Sequence, residues 1–175
     1  GAHLGVMPFD AFLFTPNLQL TFDRHFSDKL AFSAMVGGGY GLKNGTLRDL
    51  ESPEFGKVPD AYRYLGSVLA GVTWTPIYAK MNLDGARVLH HDVYGVARAG
   101  VTFEQSIIEG FAVSPTVSLG LGVRAWVGEN TAVRLEAHDS ILVQRRALTE
   151  TTHIKQNVNL VIGLTRFTAV KTRGR

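Results

Sequence analysis

From Thr116 to Val127 the chain alternates strictly. Val117, Leu119, Leu121, Val123, Ala125 and Val127 are apolar, whereas Thr116, Ser118, Gly120, Gly122 and Arg124 are small or polar, with Trp126 closing that row. A period of two describes a strand with two unlike faces. After the short polar turn Gly128-Glu129-Asn130 the pattern returns. Val133, Leu135, Ala137, Ile141 and Val143 share one face; Arg134, Glu136, His138 and Ser140 share the other. The same alternation runs from Asn157 to Thr165, from Asp92 to Phe103, from Ser67 to Thr75, from Leu30 to Tyr40 and from Phe12 to Phe22. A shorter piece, His3 to Pro8, supplies one more strand. The pattern predicts an all-β chain of seven strands and an eighth.

Alternation alone does not say which face is wet. A soluble barrel or sandwich would turn the apolar face inward and cover its surface with Lys, Glu and Asp. Here the polar faces carry Gly, Ser, Thr, Asn and an occasional Arg, and the charges crowd into connections, above all residues 43–63. Small polar residues inside and an apolar belt outside suit a membrane barrel, because lipid satisfies neither charge nor free backbone. Strands of roughly 10–12 residues match a tilted crossing. The reading is an eight-stranded antiparallel up-and-down transmembrane β-barrel of the outer-membrane type. With the last strand running down into the periplasm, the connections 23–29, 80–91 and 128–130 fall on the periplasmic side. Phe22, Tyr78, Tyr94, Trp126 and Phe167 then mark an aromatic girdle at that rim, and Tyr40, Phe103 and Phe111 sit near the other. A soluble lipocalin-like carrier, with the apolar faces turned inward, is the alternative.

Composition narrows the function. In 175 residues there are 19 glycines and no cysteine, and the net charge is +3. Disulfide scaffolds, cysteine-ligated zinc and thiol catalysis are thereby excluded. So small a charge excess makes no case for nucleic acid. No apolar run reaches the roughly 18 residues of a transmembrane helix. Neither a basic start nor an apolar core of a signal peptide opens the chain. Residues 1–167 form the expected barrel domain, followed by a short basic tail over 168–175 with Lys171, Arg173 and Arg175.

Arg98, Arg124, Arg134 and Glu136 share the inward face of neighbouring strands. Arg124 is expected nearly opposite Arg134, with Glu136 one diagonal step away as the compensating carboxylate of a lumenal ion network. His138-Asp139-Ser140 is the most tempting catalytic string. An eight-stranded outer-membrane lipid A deacylase uses a His-x-Ser pair with a later Glu, here Glu150, so a lipid-modifying hydrolase is a second alternative. The plainer reading keeps His138 and Ser140 as lumenal polar positions. His90-His91-Asp92 offers no metal site on a strand, since adjacent histidines face opposite ways. Gly120-Leu-Gly122 and Gly37-Gly38-Gly39 lack the following helix of a phosphate loop. No metal, cofactor or catalytic residue is expected. Thr46-Leu-Arg-Asp49 resembles a capping box, so a short helix opens the 42–65 loop. That loop, with Arg48, Asp49, Glu51, Glu54 and Lys57, is the candidate partner-binding surface.

Three stretches carry a family resemblance: LQLTFDRHFSDKLAF (18–32), VTWTPIYAKMNLDGARVLHHDVYG (72–95) and SLGLGVRAWVGENTAVRLEAHDSILV (118–143). They resemble the outer-membrane β-barrel proteins typical of myxobacteria and relatives, with a small-barrel architecture of the OmpA/OmpX type. Ala79 stands where that family usually has Gly, His138 where it usually has Arg, and the Gly163–Phe167 ending is one residue short of the usual barrel-assembly signal. Some members belong to gliding-motility and other envelope machines. The resemblance implies a non-catalytic anchoring or partner-binding subunit in the cell outer membrane, in contact with the bilayer, lipopolysaccharide and envelope proteins.

Overall fold

A computed structural model describes residues 1–56, 61–82, 88–108, 110–145 and 151–168. Lys57, Glu150 and the tail residues Lys171, Arg173 and Arg175 lie outside them. Nine strands and one short helix follow in order: β1 (Ala2–Met7), β2 (Leu13–His25), β3 (Leu30–Gly39), β4 (Leu42–Lys43), α1 (Gly45–Leu50), β5 (Tyr62–Asn82), β6 (Val88–Ser106), β7 (Gly110–Trp126), β8 (Thr131–Arg145) and β9 (Thr152–Arg166). Every pairing is antiparallel, in the order β1-β9-β8-β7-β6-β5-β3-β2, and β1 also pairs with β2. Eight strands therefore close on themselves without an edge, while β4 is a two-residue ribbon against Leu13 and Phe14 at the start of β2. The chain start, the 26–29 and 127–130 turns and the end of β9 share one rim. The connection 8–12 and residues 40–56 share the other.

Parity decides what faces where. In β7 the odd positions from Phe111 to Val123 are exposed and the even ones from Ser114 to Ser118 are buried, as are Gly122 and Arg124. Leu4, Leu18, Leu20, Val36, Val68, Leu135, Leu160 and Ile162 likewise lie exposed on the outside. Inside are His3, Asn17, Gln19, Ser33, Arg98, Thr102, Glu104, Ser118, Arg134, Glu136 and Asn159. The polarity of a soluble core is inverted.

Two irregularities in β5 shift the register. Between Tyr64 and Gly66 the extra residue Leu65 interrupts the ladder to β6. Even-numbered Tyr64 and odd-numbered Ser67 therefore both face inward, joined hydroxyl to hydroxyl at 2.8 Å. The second shift falls between Trp74 and Ile77, around Pro76, which has no N–H to give. Beyond it β5 and β6 continue as a hairpin ribbon, pairing Ile77 with Val93 through to Asn82 with Val88. The expected 80–91 connection is thus corrected to strand up to Asn82 and again from Val88. Broken alternation at Pro76 hid the extension.

At the opposite rim α1 is capped two residues before the Thr46 of the capping-box reading. Its N-cap is Asn44, whose Oδ1 accepts from the Leu47 N–H at 3.0 Å. Thr46 is already inside the helix. The Asn44 amide also donates to the Ala11 carbonyl at 2.7 Å, and Leu47 is buried. Lys155 reaches Asp10 at 2.9 Å, so both loops are tied down over the barrel mouth.

The seam that closes the ring is held inside by Asn17 and Asn159, whose amides exchange hydrogen bonds of 3.2 and 3.3 Å. Asn159→Ala leaves the buried Asn17 amide without that partner and should destabilise the barrel by about 1–3 kcal/mol. Denaturant titration of the micelle-folded protein, followed by tryptophan fluorescence, measures it.

Candidate functional site

The expected inward residues meet around Glu136, with Arg124 the one that takes a different carboxylate. Arg124 and Arg134 are register partners across the β7–β8 turn, and Glu136 is two residues along. Glu136 receives Arg134 Nη2 at 2.5 Å and Nε at 3.1 Å on Oε2, and Arg98 Nη1 at 2.9 Å on Oε1. The Tyr94 hydroxyl donates to the same Oε2 at 2.9 Å, and His138 Nδ1 lies 3.1 Å from Oε1. Arg124 does not reach Glu136. Its Nε bonds Asp92 Oδ1 at 2.8 Å and its Nη2 bonds the Thr75 hydroxyl at 2.9 Å. Arg134 holds a second carboxylate, Asp23, at 2.9 Å. Three guanidiniums thus face Glu136, Asp92 and Asp23, each with at least one ion pair.

The ring of Tyr94 contacts both facing arginines, 4.9 Å from the Arg124 guanidinium carbon and 4.6 Å from that of Arg134. An aromatic face attracts each cation. Tyr94 is fully buried, so its place in the outer aromatic girdle is corrected: it is even-numbered in β6, on the inward face with Asp92 and Arg98. Its room comes from Gly122, its register partner, where a Cβ would lie 2.2 Å from the ring. Sequence reasoning missed Tyr94, Asp92 and Asp23 here. Parity carried the signal for Tyr94, but its closeness to a strand end outweighed it.

Two more girdle positions change place. Trp126 and Phe167 pack against each other at 4.3 Å, with His25 5.9 Å from Phe167 and the Arg124 guanidinium 5.8 Å above it. Trp126 follows the inward parity of β7, and Phe167 follows β9 across the mouth, its N–H on the Asn130 carbonyl. The pair covers the lumen end and does not form an outer belt. Phe22 faces outward, and Trp74 does so too, at 56% exposure. Tyr78 is exposed on the β5–β6 ribbon, its hydroxyl hydrogen-bonded to His90 Nδ1.

Above the ion network the lumen is filled by short polar contacts. Glu104 accepts from the Gln144 amide at 2.6 and 2.7 Å and from Ser114 at 2.9 Å. Thr116 donates to Thr102 at 2.7 Å. The cavity between Gln19, Met35, Tyr64, His138, Ser140 and Asn159 has a volume of about 10 Å³, at the lower bound for a single water. No hydrogen bond joins His138 to Ser140 among the described residues. Of the loop candidates, Arg48, Asp49 and Glu54 are exposed, while Glu51 is engaged with Lys43 at 2.5 Å.

A ring-closed antiparallel barrel of eight strands, polar and packed within and apolar without, defines the class: a small up-and-down β-barrel. No protein-family model matches the chain, and no curated protein does. Among solved structures it resembles Neisserial surface protein A, with a TM-score of 0.53 and 13% identity over 93% of this chain and 90% of that one. It is also similar to Ail, the attachment invasion locus protein of Yersinia pestis, with a TM-score of 0.46 and 12% identity over 94% of this chain and 91% of that one. At these identities the likeness is one of fold.

Glu136→Gln leaves Arg98 and Arg134 without their common anion and should cost about 3–5 kcal/mol of folding stability. Tyr94→Phe keeps the ring and loses one hydroxyl, at about 1 kcal/mol. The unfolding midpoints of both variants in detergent test that order. Equal effects would contradict the central place of the carboxylate.

Proposed function

We propose that the chain is an outer-membrane β-barrel acting without catalysis, as an anchoring or partner-binding subunit of the cell envelope. The observation that carries this reading is the inverted polarity: a continuous apolar outside around a lumen of ion pairs and amides. A fully exposed belt of this size is unfavourable in water and favourable in a bilayer. The 17 residues of β7 exceed the roughly 9–11 that a tilted crossing needs. The fold shared with a Neisserial surface protein supports the same placement. The environment is then lipid and lipopolysaccharide, and envelope proteins are the partners. A motility or other surface machine is the setting suggested by the family resemblance of residues 72–95.

The filled lumen argues against conduction, since an eight-stranded barrel leaves space only for its own side chains. It argues equally against the two alternatives. A lipid-modifying hydrolase at His138 and Ser140 needs an ester within reach of the serine, and both residues line the closed interior. A soluble carrier needs an apolar cavity inside, where Arg98, Arg134 and Glu136 lie. Recognition falls to the rims, with the α1 loop and its exposed Arg48, Asp49 and Glu54 as the leading surface.

The two tryptophans test the membrane reading directly. Trp74 faces outward, whereas Trp126 is tucked against Phe167 at the lumen mouth. In vesicles of lipid brominated along the acyl chain, the Trp126→Phe variant, which keeps Trp74, should lose most of its fluorescence. The Trp74→Phe variant should lose much less. Absence of quenching in both would place the protein outside the bilayer.

A further inference from the structure

Up to Trp74 the outward positions of β5 are even: Val68, Val72 and Trp74 are exposed, while Ser67, Leu69 and Thr73 are buried. The ladder to β6 pairs Trp74 with Gly95 and then Ile77 with Val93, so Thr75 and Pro76 together stand against Tyr94. An extra residue of this kind exchanges the two faces of its strand. Beyond it the outward positions of β5 are odd. Ile77 lies opposite Val93, Ala79 opposite His91 and Met81 opposite Leu89, and Val93 has the same outward parity on β6 as Gly95 and Ala97. With unbroken alternation Ile77 and Met81 would have turned to the side of Thr73. The bulge thus returns the apolar side chains of the ribbon to the outside, in line with the belt, where Ile77 is 54% and Met81 47% exposed. The other face pairs Tyr78 with Asp92 and Lys80 with His90. Tyr78 and Asp92 look into the open cavity of about 710 Å³ at the lumen mouth.

We propose that the outward face of this ribbon rests against the phospholipid leaflet at its rim, in the headgroup layer, as a continuation of the lipid-facing belt. The length of the row sets its depth. From Phe103 to Leu89 the outward row of β6 covers roughly 35 Å along the membrane normal, against an apolar band of about 25 Å and a bilayer of about 40–45 Å with its headgroups. The row is too long for hydrocarbon alone and short enough to end among headgroups. There the apolar side of an amphipathic element is covered while its polar side stays wet. The headgroup layer also accommodates His91, the polar member of this outward set. At the same rim Arg24 on β2 and Arg166 on β9 share the outward parity of Phe22 and Leu164 and are exposed, which puts cations where lipid phosphates lie.

This contact rests on the membrane reading, which the Trp74 quenching assay reads separately. In a Trp74→Phe/Trp126→Phe background, Leu89→Trp probes the outward face of the ribbon and Lys80→Trp the other. The vesicles are phosphatidylethanolamine and phosphatidylglycerol, with lipid brominated either near the headgroup or near the chain end. Leu89→Trp should lose more emission to the shallow bromines than to the deep ones. It should also emit at shorter wavelength than Lys80→Trp, which should lose little to either. Where a tryptophan at position 89 prevents folding, seen as a lost mobility shift on heating, Met81→Cys takes its place, since the chain has no native cysteine. A nitroxide at Met81→Cys should be relaxed more by dissolved oxygen than by an aqueous nickel chelate, with the order reversed at Lys80→Cys. Quenched Trp74 with positions 89 and 80 behaving alike, or a nitroxide at position 81 open to the chelate, would overturn the ribbon contact and leave the membrane reading standing. An unquenched Trp74 would remove both.

Discussion

Everything inside the barrel depends on compensating three buried guanidiniums with little space and little water. A guanidinium cannot shed its charge, so each one placed in the lumen requires an anion in contact. Glu136 serves Arg98 and Arg134 together, and Asp92 and Asp23 complete the pairs. The facing arginines of the β7–β8 hairpin would repel if their only neighbours were each other. The Tyr94 ring contacts both, and its hydroxyl ties that contact to Glu136. The network joins β2, β5, β6, β7 and β8 from within and is therefore a cross-brace as well as a plug.

The brace imposes its own steric rule. Several of the large inward side chains have glycine as a register partner, although Arg124 and Arg134 share a pair. Tyr94 and Glu136 both face Gly122, His138 faces Gly120, His3 and Arg134 face Gly163, and Arg98 faces Gly71. At Gly71 an added Cβ would come within 2.0 Å of the Ala97 carbonyl oxygen, so backbone and side chain alike need the space. The glycine richness of the sequence thus has a definite cause. Glycine in a strand is normally a weakness; here the ion pairs and amide bonds that it admits offset that weakness.

Strand alternation makes the wall legible in the sequence, because parity in a barrel is a direct statement of inside and outside. The strands over 116–127 and 133–143 and the facing of Arg124 and Arg134 follow from it. What parity could not supply was reach. Arg124 turns to Asp92 on the neighbouring β6 instead of to Glu136, a choice set by side-chain direction across strands. Tyr94, Trp126 and Phe167 were assigned by nearness to strand ends, although Tyr94 and Trp126 carry inward parity. The β5–β6 ribbon is obscured where Pro76 breaks the pattern, and α1 starts at Gly45 because the Asn44 side chain caps it, two residues before the nominal capping box at Thr46. Asp139 was read as part of a polar string, although its odd number already set it on the opposite face from His138 and Ser140.

The brace fills the centre of the barrel. Opening a path would require parting Glu136 from Arg98 and Arg134 together, with Asp23 left to hold Arg134 alone. Outside that brace three surfaces stand out: the α1 loop, tied by Asn44 to the 8–12 connection that Lys155 holds through Asp10, the β5–β6 ribbon at the other rim, and the outward face around Asp139. The third of these is the most informative, because lipid selects against unpaired polarity more sharply than water does. An exposed Asp49 or Glu54 on a rim loop is adequately solvated and demands nothing. Asp139, mid-strand between Leu119 and Val158, keeps its Oδ1 buried without a hydrogen-bond partner and is the exception on that apolar wall.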